Sequence, residues 1–382
     1  MLKFLTKKID LRKFNFSINI NPTFSKGFFV QLFFFFSLMP YVSPVPLGSD
    51  VQILTGLIGY FILLVLLLKD KFVLEKREIL IIGLGLLFIV YINIDESSYQ
   101  FRKAIGPVYA FSIYYVAKHY QQYFSLKVMS WVIIIYLVGA ITQYVSPGLF
   151  NLTFENFIRV AKYSETTGRG VTSLSPEPSF LGTVCIYLLV IQDWFYIEKT
   201  RDKKYYYRLF ACVFMILISK SGGGYILLFL FFASKSFVYL KRYWYLIGVF
   251  SLTFVIFIAN IEEVSDNKGL ADLVKVLKST SPRQLLAVSS LSNRVNPVIV
   301  GVYGAYERPL GRGSGSFTTQ ARDVYLDNGI DMIYPVYNRD RLLYEISMDS
   351  VSTFGKYIFE YGVFFVLYLL LILIGVNLRK AG

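Results

Sequence analysis

The sequence predicts an all-α polytopic membrane protein of about ten spans. Three observations carry this. Hydrophobic residues make up 55% of the 382 residues and charged residues only 17%, too apolar a balance for a soluble chain of this length. Apolar runs of membrane-spanning length recur along most of the chain. Lysine and arginine collect in alternate connecting segments, as the positive-inside rule requires.

Read in order, the spans fall at about 28–45, 51–68, 79–94, 104–117, 128–146, 179–197, 208–220, 223–240, 243–260 and 355–378. Residues 1–27 form a basic tail with Lys3, Lys7, Lys8, Arg12, Lys13 and Lys26. It is long and polar for a signal peptide, and no small-residue cleavage site follows the apolar run from Phe28 to Met39. It therefore reads as an uncleaved signal anchor with its tail in the cytoplasm. The connections expected to be cytoplasmic carry Lys69, Lys71, Lys76 and Arg77, then Lys118 and Lys127. Further along they carry Lys199, Arg201, Lys203, Lys204, Lys241 and Arg242, and the tail has Arg379 and Lys380. An even number of spans with both termini in the cytoplasm follows.

The remaining organisation is a membrane domain over 28–260, interrupted by an outer loop at 147–178, then a large outer loop at 261–354, and a last span with its tail at 355–382. Both outer loops mix charges of both signs. Leu270, Leu273, Val274 and Leu277 give 270–288 the spacing of an amphipathic helix. No internal repeat is present. The run Phe33 to Phe36 reads as lipid-facing filler.

Composition also narrows the chemistry. Cys185 and Cys212 both lie in apolar runs, which argues against a disulfide framework and a zinc site and makes them small buried hydrophobes. The single histidine, His119, follows an apolar run beside Lys118 and reads as interfacial, not catalytic. The net charge of +14 sits largely in short loops and the N-terminal tail, and no nucleic-acid motif accompanies it, so no nucleic-acid partner is expected.

Four places could carry chemistry. The first is Ser173-Leu-Ser-Pro-Glu-Pro-Ser-Phe-Leu-Gly182, where Glu177 stands between two prolines at the head of an apolar run. Two readings stand for Glu177. A carboxylate at a membrane boundary is costly unless it faces water or a partner, which marks a functional group; equally, a carboxylate suits the positive end of a helix dipole. The second is the set of outer-loop arginines, Arg159, Arg169, Arg294, Arg308 and Arg312, whose bidentate forks suit a phosphate or pyrophosphate, or else loop salt bridges. The third is Ser219-Lys220-Ser221-Gly222-Gly223-Gly224, which is either a tight turn between spans or an anion site made by Lys220 and exposed amides. The fourth comprises the glycine-rich turn Pro309–Phe317, which lacks the Gly-Lys-Ser/Thr ending of a Walker loop, and the carboxylates Asp349 and Glu360 flanking the start of the last span. Glu360 needs a partner at that depth, which Arg294 or Lys356 could supply. The many tyrosines fit interfacial belts.

Taken together these segments resemble the bacterial O-antigen polymerases of the O-antigen ligase and polymerase superfamily. The matching features are the arginine-bearing loop running into Glu-Pro-Ser (Arg159 to Gly182) and the serine-basic-glycine junction (Ser219 to Gly224). To these are added the Arg-Pro-Leu-Gly-x-Gly turn (Arg308 to Phe317) and the Glu-Tyr-Gly-Val step (Glu360 to Val363). The resemblance covers about 130–378.

The resemblance implies a GT-C-like membrane fold in the bacterial cytoplasmic (inner) membrane. It also implies an enzyme that transfers a growing glycan from undecaprenyl pyrophosphate to a newly flipped lipid-linked repeat unit at the outer leaflet. The partners would be the undecaprenyl-pyrophosphate-linked oligosaccharide, the bilayer and a chain-length regulator protein; no cofactor or metal is implied. Arg159, Arg169 and Arg294, with Arg312 and Lys220, would hold the pyrophosphate. Glu177, with Asp349 second, would act as base or position the acceptor. The related ligases carry a histidine in the late outer loop. This chain has none between 261 and 354, which favours polymerase over ligase. A lipid-linked oligosaccharide flippase is the other alternative, and the missing repeat argues against it.

Overall fold

A computed structural model describes residues 8–10, 26–42, 53–69, 72–90, 106–154, 157–158, 170–196, 203–234, 289–328 and 353–377. Among them, in chain order, come β1 (Lys8–Asp10), α1 (Lys26–Ser37), α2 (Leu54–Leu68), β2 (Val73–Glu75), α3 (Lys76–Val90), α4 (Gly106–Tyr120), α5 (Leu126–Val145) and α6 (Pro147–Phe154). They continue with α7 (Pro178–Phe195), α8 (Lys203–Ile218), α9 (Gly222–Ser234), α10 (Ser289–Glu307), α11 (Ser316–Asp327) and α12 (Thr353–Asn377). The described chain is mostly helical. Strands β1 and β2 form one short antiparallel ribbon, with Lys8 opposite Glu75.

Helices α5 and α7 and the stretch Phe354–Ile374 of α12 are long and apolar enough, by length and composition, to cross a membrane. Gly27–Ser37, α2 and α9 are apolar but shorter. Helix α5 shows the pattern expected of a lipid-facing element. Val132, Tyr136 and Ala140 are buried, while Trp131, Ile134, Val138 and Ile141 on other faces are exposed yet equally apolar. The expected span at 243–260 and the amphipathic segment at 270–288 lie outside the described residues.

Local chemistry sets the helix ends. The run expected at 28–45 stops being helical after Ser37, because Pro40 cannot donate and biases Met39 away from helix. The Ser125 hydroxyl caps α5 by accepting the Lys127 N–H at 3.1 Å. Pro147 and Pro178 open α6 and α7, where a missing N–H costs nothing. Helix α3 starts at Lys76, earlier than the apolar run, so that Glu78 lies in its first turn.

The chain divides into two compact units, each discontinuous in sequence. One comprises Met1–Lys26, Gly56–Gln122 and Ser279–Gly382; the other comprises Gly27–Thr55 and Tyr123–Lys278. In the first, α3, α4 and α12 pack around Ile81, Phe88, Phe111, Tyr361 and Tyr368, and a second core of Val300, Phe317, Tyr325 and Phe359 joins α10, α11 and α12. In the second, α5, α7 and α8 enclose Tyr136, Leu181, Cys185, Leu188, Cys212 and Met215. Both cysteines there are fully buried free thiols, the small core hydrophobes the sequence predicts.

Candidate functional site

Two pairs of sequence motifs, far apart along the chain, are docked on each other, one pair in each unit. In the second unit the segment 170–177 lies against the junction 218–224. The Val171 N–H donates to the Ile218 carbonyl at 3.2 Å, and a Cβ on Gly170 would strike the Ser219 carbonyl. One turn into α7, a Cβ on Gly182 would come within 2.8 Å of the Gly224 Cα, so α7 and α9 touch where both lack side chains. The loop is braced from α5: the Gln143 side-chain oxygen accepts the Thr172 and Ser173 N–H groups at 2.9 and 2.7 Å, and the Ser173 hydroxyl donates to the Tyr136 carbonyl at 2.6 Å.

Backbone strain concentrates at this junction. Ser173 (φ +50°) and Lys220 (φ +48°) are the non-glycine residues in the left-handed region among the described residues. That conformation costs on the order of 1–3 kcal/mol at such a residue and persists only where the surroundings enforce it, typically at functional sites. Glu177 stands at the N-cap of α7 with extended backbone, but its carboxylate caps no backbone N–H. It accepts the Ser179 hydroxyl at 3.2 Å and has no other side-chain hydrogen bond among the described residues. It is half-buried at the positive end of the helix, the position the dipole reading expects, but makes no cap hydrogen bond. Lys220 is exposed, and its side chain has no polar partner among the described residues.

In the first unit the glycine turn is docked on the acidic step of α12. At Gly362 (φ +52°, ψ −129°) the helix breaks, which only glycine tolerates readily. The groups freed by the break bond to the turn. The Val363 N–H donates to the Pro309 carbonyl at 2.9 Å, while the Phe359 and Glu360 carbonyls accept the Arg312 and Gly313 N–H groups at 3.3 and 2.9 Å. Irregular backbone at membrane depth survives only when protein satisfies it in this way. The fully buried Glu360 carboxylate accepts the Gly315 N–H at 2.9 Å and lies 3.9 Å from Lys356 Nζ, one of the two partners the sequence offers it.

Arg312 is held by the same assembly. Its guanidinium pairs with Glu307, donates to Gln320 at 3.3 Å and lies 5.2 Å over the Phe359 ring. Beside it is an open cavity of about 370 Å³ lined by Glu307, Arg308, Arg312, Gln320, Asp323 and Asp327. Of the other sequence candidates, Arg159, Arg169 and Asp349 lie outside the described residues, and Arg294 is placed on α10 by its backbone.

Two polar clusters escape the sequence reading. Arg208, read as the first residue of a span, is buried and donates to Gln192 at 2.7 Å, Ser130 at 3.1 Å and the Tyr196 hydroxyl at 3.0 Å. His119, read as interfacial, lies with Nε2 2.7 Å from Oε1 of the fully buried Glu78, which also holds Lys118 at 2.7 Å. Burial pushes the Glu78 carboxyl up, but hydrogen bonds from His119, Lys118 and the Glu75 backbone outweigh it and leave the group below its usual value. Glu75, Glu78 and His119 are close enough to hold one metal ion, but Lys118 Nζ, 2.9 Å from Glu75 and 2.7 Å from Glu78, already supplies the cation.

Comparison of the chain with family models, with curated proteins and with solved structures gives no match.

Proposed function

We propose that this chain is a polysaccharide polymerase of the bacterial cytoplasmic membrane. In this reading an acceptor hydroxyl of a new lipid-linked repeat attacks the anomeric carbon of the growing glycan. The bond from that carbon to the pyrophosphate oxygen breaks, undecaprenyl pyrophosphate leaves, and Glu177 takes the hydroxyl proton. Lys220 and the outer-loop arginines Arg159, Arg169 and Arg294 are the charges assigned to the departing pyrophosphate. Asp349 is the second candidate base.

The observation that supports this most is the strained junction in the second unit. The loop leading into Glu-Pro-Ser and the Ser-Lys-Ser-Gly turn, each singled out in the sequence on separate grounds, meet through the Val171–Ile218 bond, and left-handed Ser173 and Lys220 each stand two residues beyond it. A carboxylate that caps no backbone N–H and a lysine without a polar partner among the described residues stand on the two sides of that contact. Strain and uncommitted charge together suit a site that must bind an anion and move a proton.

The test is a gel of surface glycan from cells with and without the gene. Collapse of a long ladder to a single capped repeat is the expected result. Loss of glycan from the acceptor, with lipid-linked polymer accumulating, would assign a ligase. An unchanged ladder would bring the flippase reading forward.

A further inference from the structure

We propose that the cavity between the end of α10 and α11 is a carbohydrate subsite, one that holds a neutral, hydroxyl-rich sugar of the repeat unit and not its pyrophosphate. This rests on the polymerase reading for the source of the sugar, but its geometry stands apart from it. The volume, about 370 Å³, is at the small end of the range for ligand pockets, about 300–1,000 Å³. Three carboxylates against two guanidinium groups leave the lining with a net negative charge, which repels a polyphosphate.

The charges are also unequally committed. Both oxygens of Glu307 are taken, one by Arg312 and the other by the Asn328 amide at 2.7 Å. Asp323, Asp327 and Arg308 have no hydrogen bond or ion pair among the described residues, and Asp323 and Asp327 sit one turn apart on α11. Gln320 gives its oxygen to Arg312, which leaves its amide N–H groups as donors. Arg312 itself is nine-tenths buried at the cavity wall, with its Nε–H unpartnered among the described residues.

The available groups are therefore two carboxylate acceptors facing guanidinium and amide donors. A hydroxyl both donates and accepts, so a polyol satisfies both sets, whereas a phosphate satisfies only the donors. A divalent cation is poorly served. Among the described residues, carboxylate and imidazole atoms close enough to share one ion occur at Glu75, Glu78 and His119, not here. The turn that presents Arg312 is fixed to α12 through Glu360, so one wall of the cavity is rigid before any ligand arrives.

The test uses the full-length protein in lipid nanodiscs. The probes are the delipidated repeat-unit oligosaccharide of the host's own polysaccharide, inorganic pyrophosphate and calcium, each followed by calorimetry. The oligosaccharide should bind, and Asp323→Asn with Asp327→Asn should weaken it on the order of tenfold or more. Arg308→Ala should weaken it separately, and thermal unfolding should match the wild type, because all three side chains are exposed. Pyrophosphate and calcium should not compete. Wild-type protein that binds no oligosaccharide, variants that bind it as tightly as wild type, or displacement by pyrophosphate or calcium would each overturn the proposal. The glycan ladder separates the two readings. Oligosaccharide affinity lost in the variants of a protein whose deletion leaves the ladder intact would keep the subsite and sink the polymerase. A gene-dependent ladder with unaltered affinity in the variants would do the reverse.

Discussion

Glu360 and Glu177 each stand near the head of an apolar helix beside a glycine-bearing partner segment, yet their environments are opposite. Glu360 is fully buried, accepts a backbone N–H from Gly315 and lies 3.9 Å from Lys356. Glu177 is half-buried, caps nothing, and accepts only the Ser179 hydroxyl among the described residues. A carboxylate that holds the fold together, as Glu360 does through one oxygen, is a poor base, because moving its charge would release the segment it holds. One that the fold does not need is available for chemistry. The same motif-level signal, an acidic residue at a span start, therefore divides into a structural group and a candidate catalytic one.

The largest expected effect is on the structural side. Glu360→Ala removes the acceptor for Gly315 and the carboxylate beside buried Lys356, and should cost about 3–5 kcal/mol. Thermal unfolding in detergent measures this; an unchanged midpoint would mean that the turn is held by its backbone bonds alone. Next comes Gly182→Val, which must push α7 from α9 at the Gly224 contact and should cost about 1–3 kcal/mol while disturbing the Glu177 loop. Unaltered stability would show that the helices can separate freely, and would weaken the claim that this junction is strained into place.

A pH series sharpens the comparison with a third buried carboxylate. The carboxyl of Glu78 is depressed in the folded protein, so its contribution is fully present above the unfolded value of about 4.3 and is lost as pH falls through the lower folded value. The unfolding midpoint should fall more steeply below about pH 4 in the wild type than in Glu78→Gln, which lacks that titration. Parallel curves would remove Glu78 from the balance. A smaller effect is expected of His119→Ala, which strips one partner from Glu78 but leaves Lys118. Stability should drop by about 1 kcal/mol, with the glycan ladder intact. A lost ladder would give His119 a catalytic part beyond its bond to Glu78.

Much of this was legible from local pattern. The apolar runs locate α2, α3, α4, α5, α7 and α12 to within a few residues, whereas α1 ends at Ser37, well short of the expected 45, and α6, α10 and α11 lie where outer loops were expected. Charged first turns were harder to read. Lys76, Arg77 and Glu78 look like a loop, but they are helical with the Glu78 carboxylate held by the Lys118 ammonium and the His119 ring across the bundle. The same holds for the start of α8 at Lys203, where Arg208 is buried against Gln192 and Ser130. The pairing of 309–313 with 359–363, the ribbon of Lys8–Asp10 on Val73–Glu75 and the bracing of Ser173 by Gln143 were illegible for one reason. Each joins segments distant in sequence, and periodicity carries no information about partners at that separation. Arg312 shows the consequence. Its residue type suggests a phosphate ligand, while its neighbours Glu307, Gln320 and Phe359 make it part of the wall of a cavity.

Glu177, proposed here as the group the fold spares for chemistry, is tested most directly by Glu177→Gln. The substitution keeps shape and removes charge, and should change stability by no more than about 0.5 kcal/mol. Complementing a deletion strain with this variant, at wild-type protein level, should give single-repeat glycan in place of the long ladder. A full-length ladder from a normally folded Glu177→Gln protein would contradict the account.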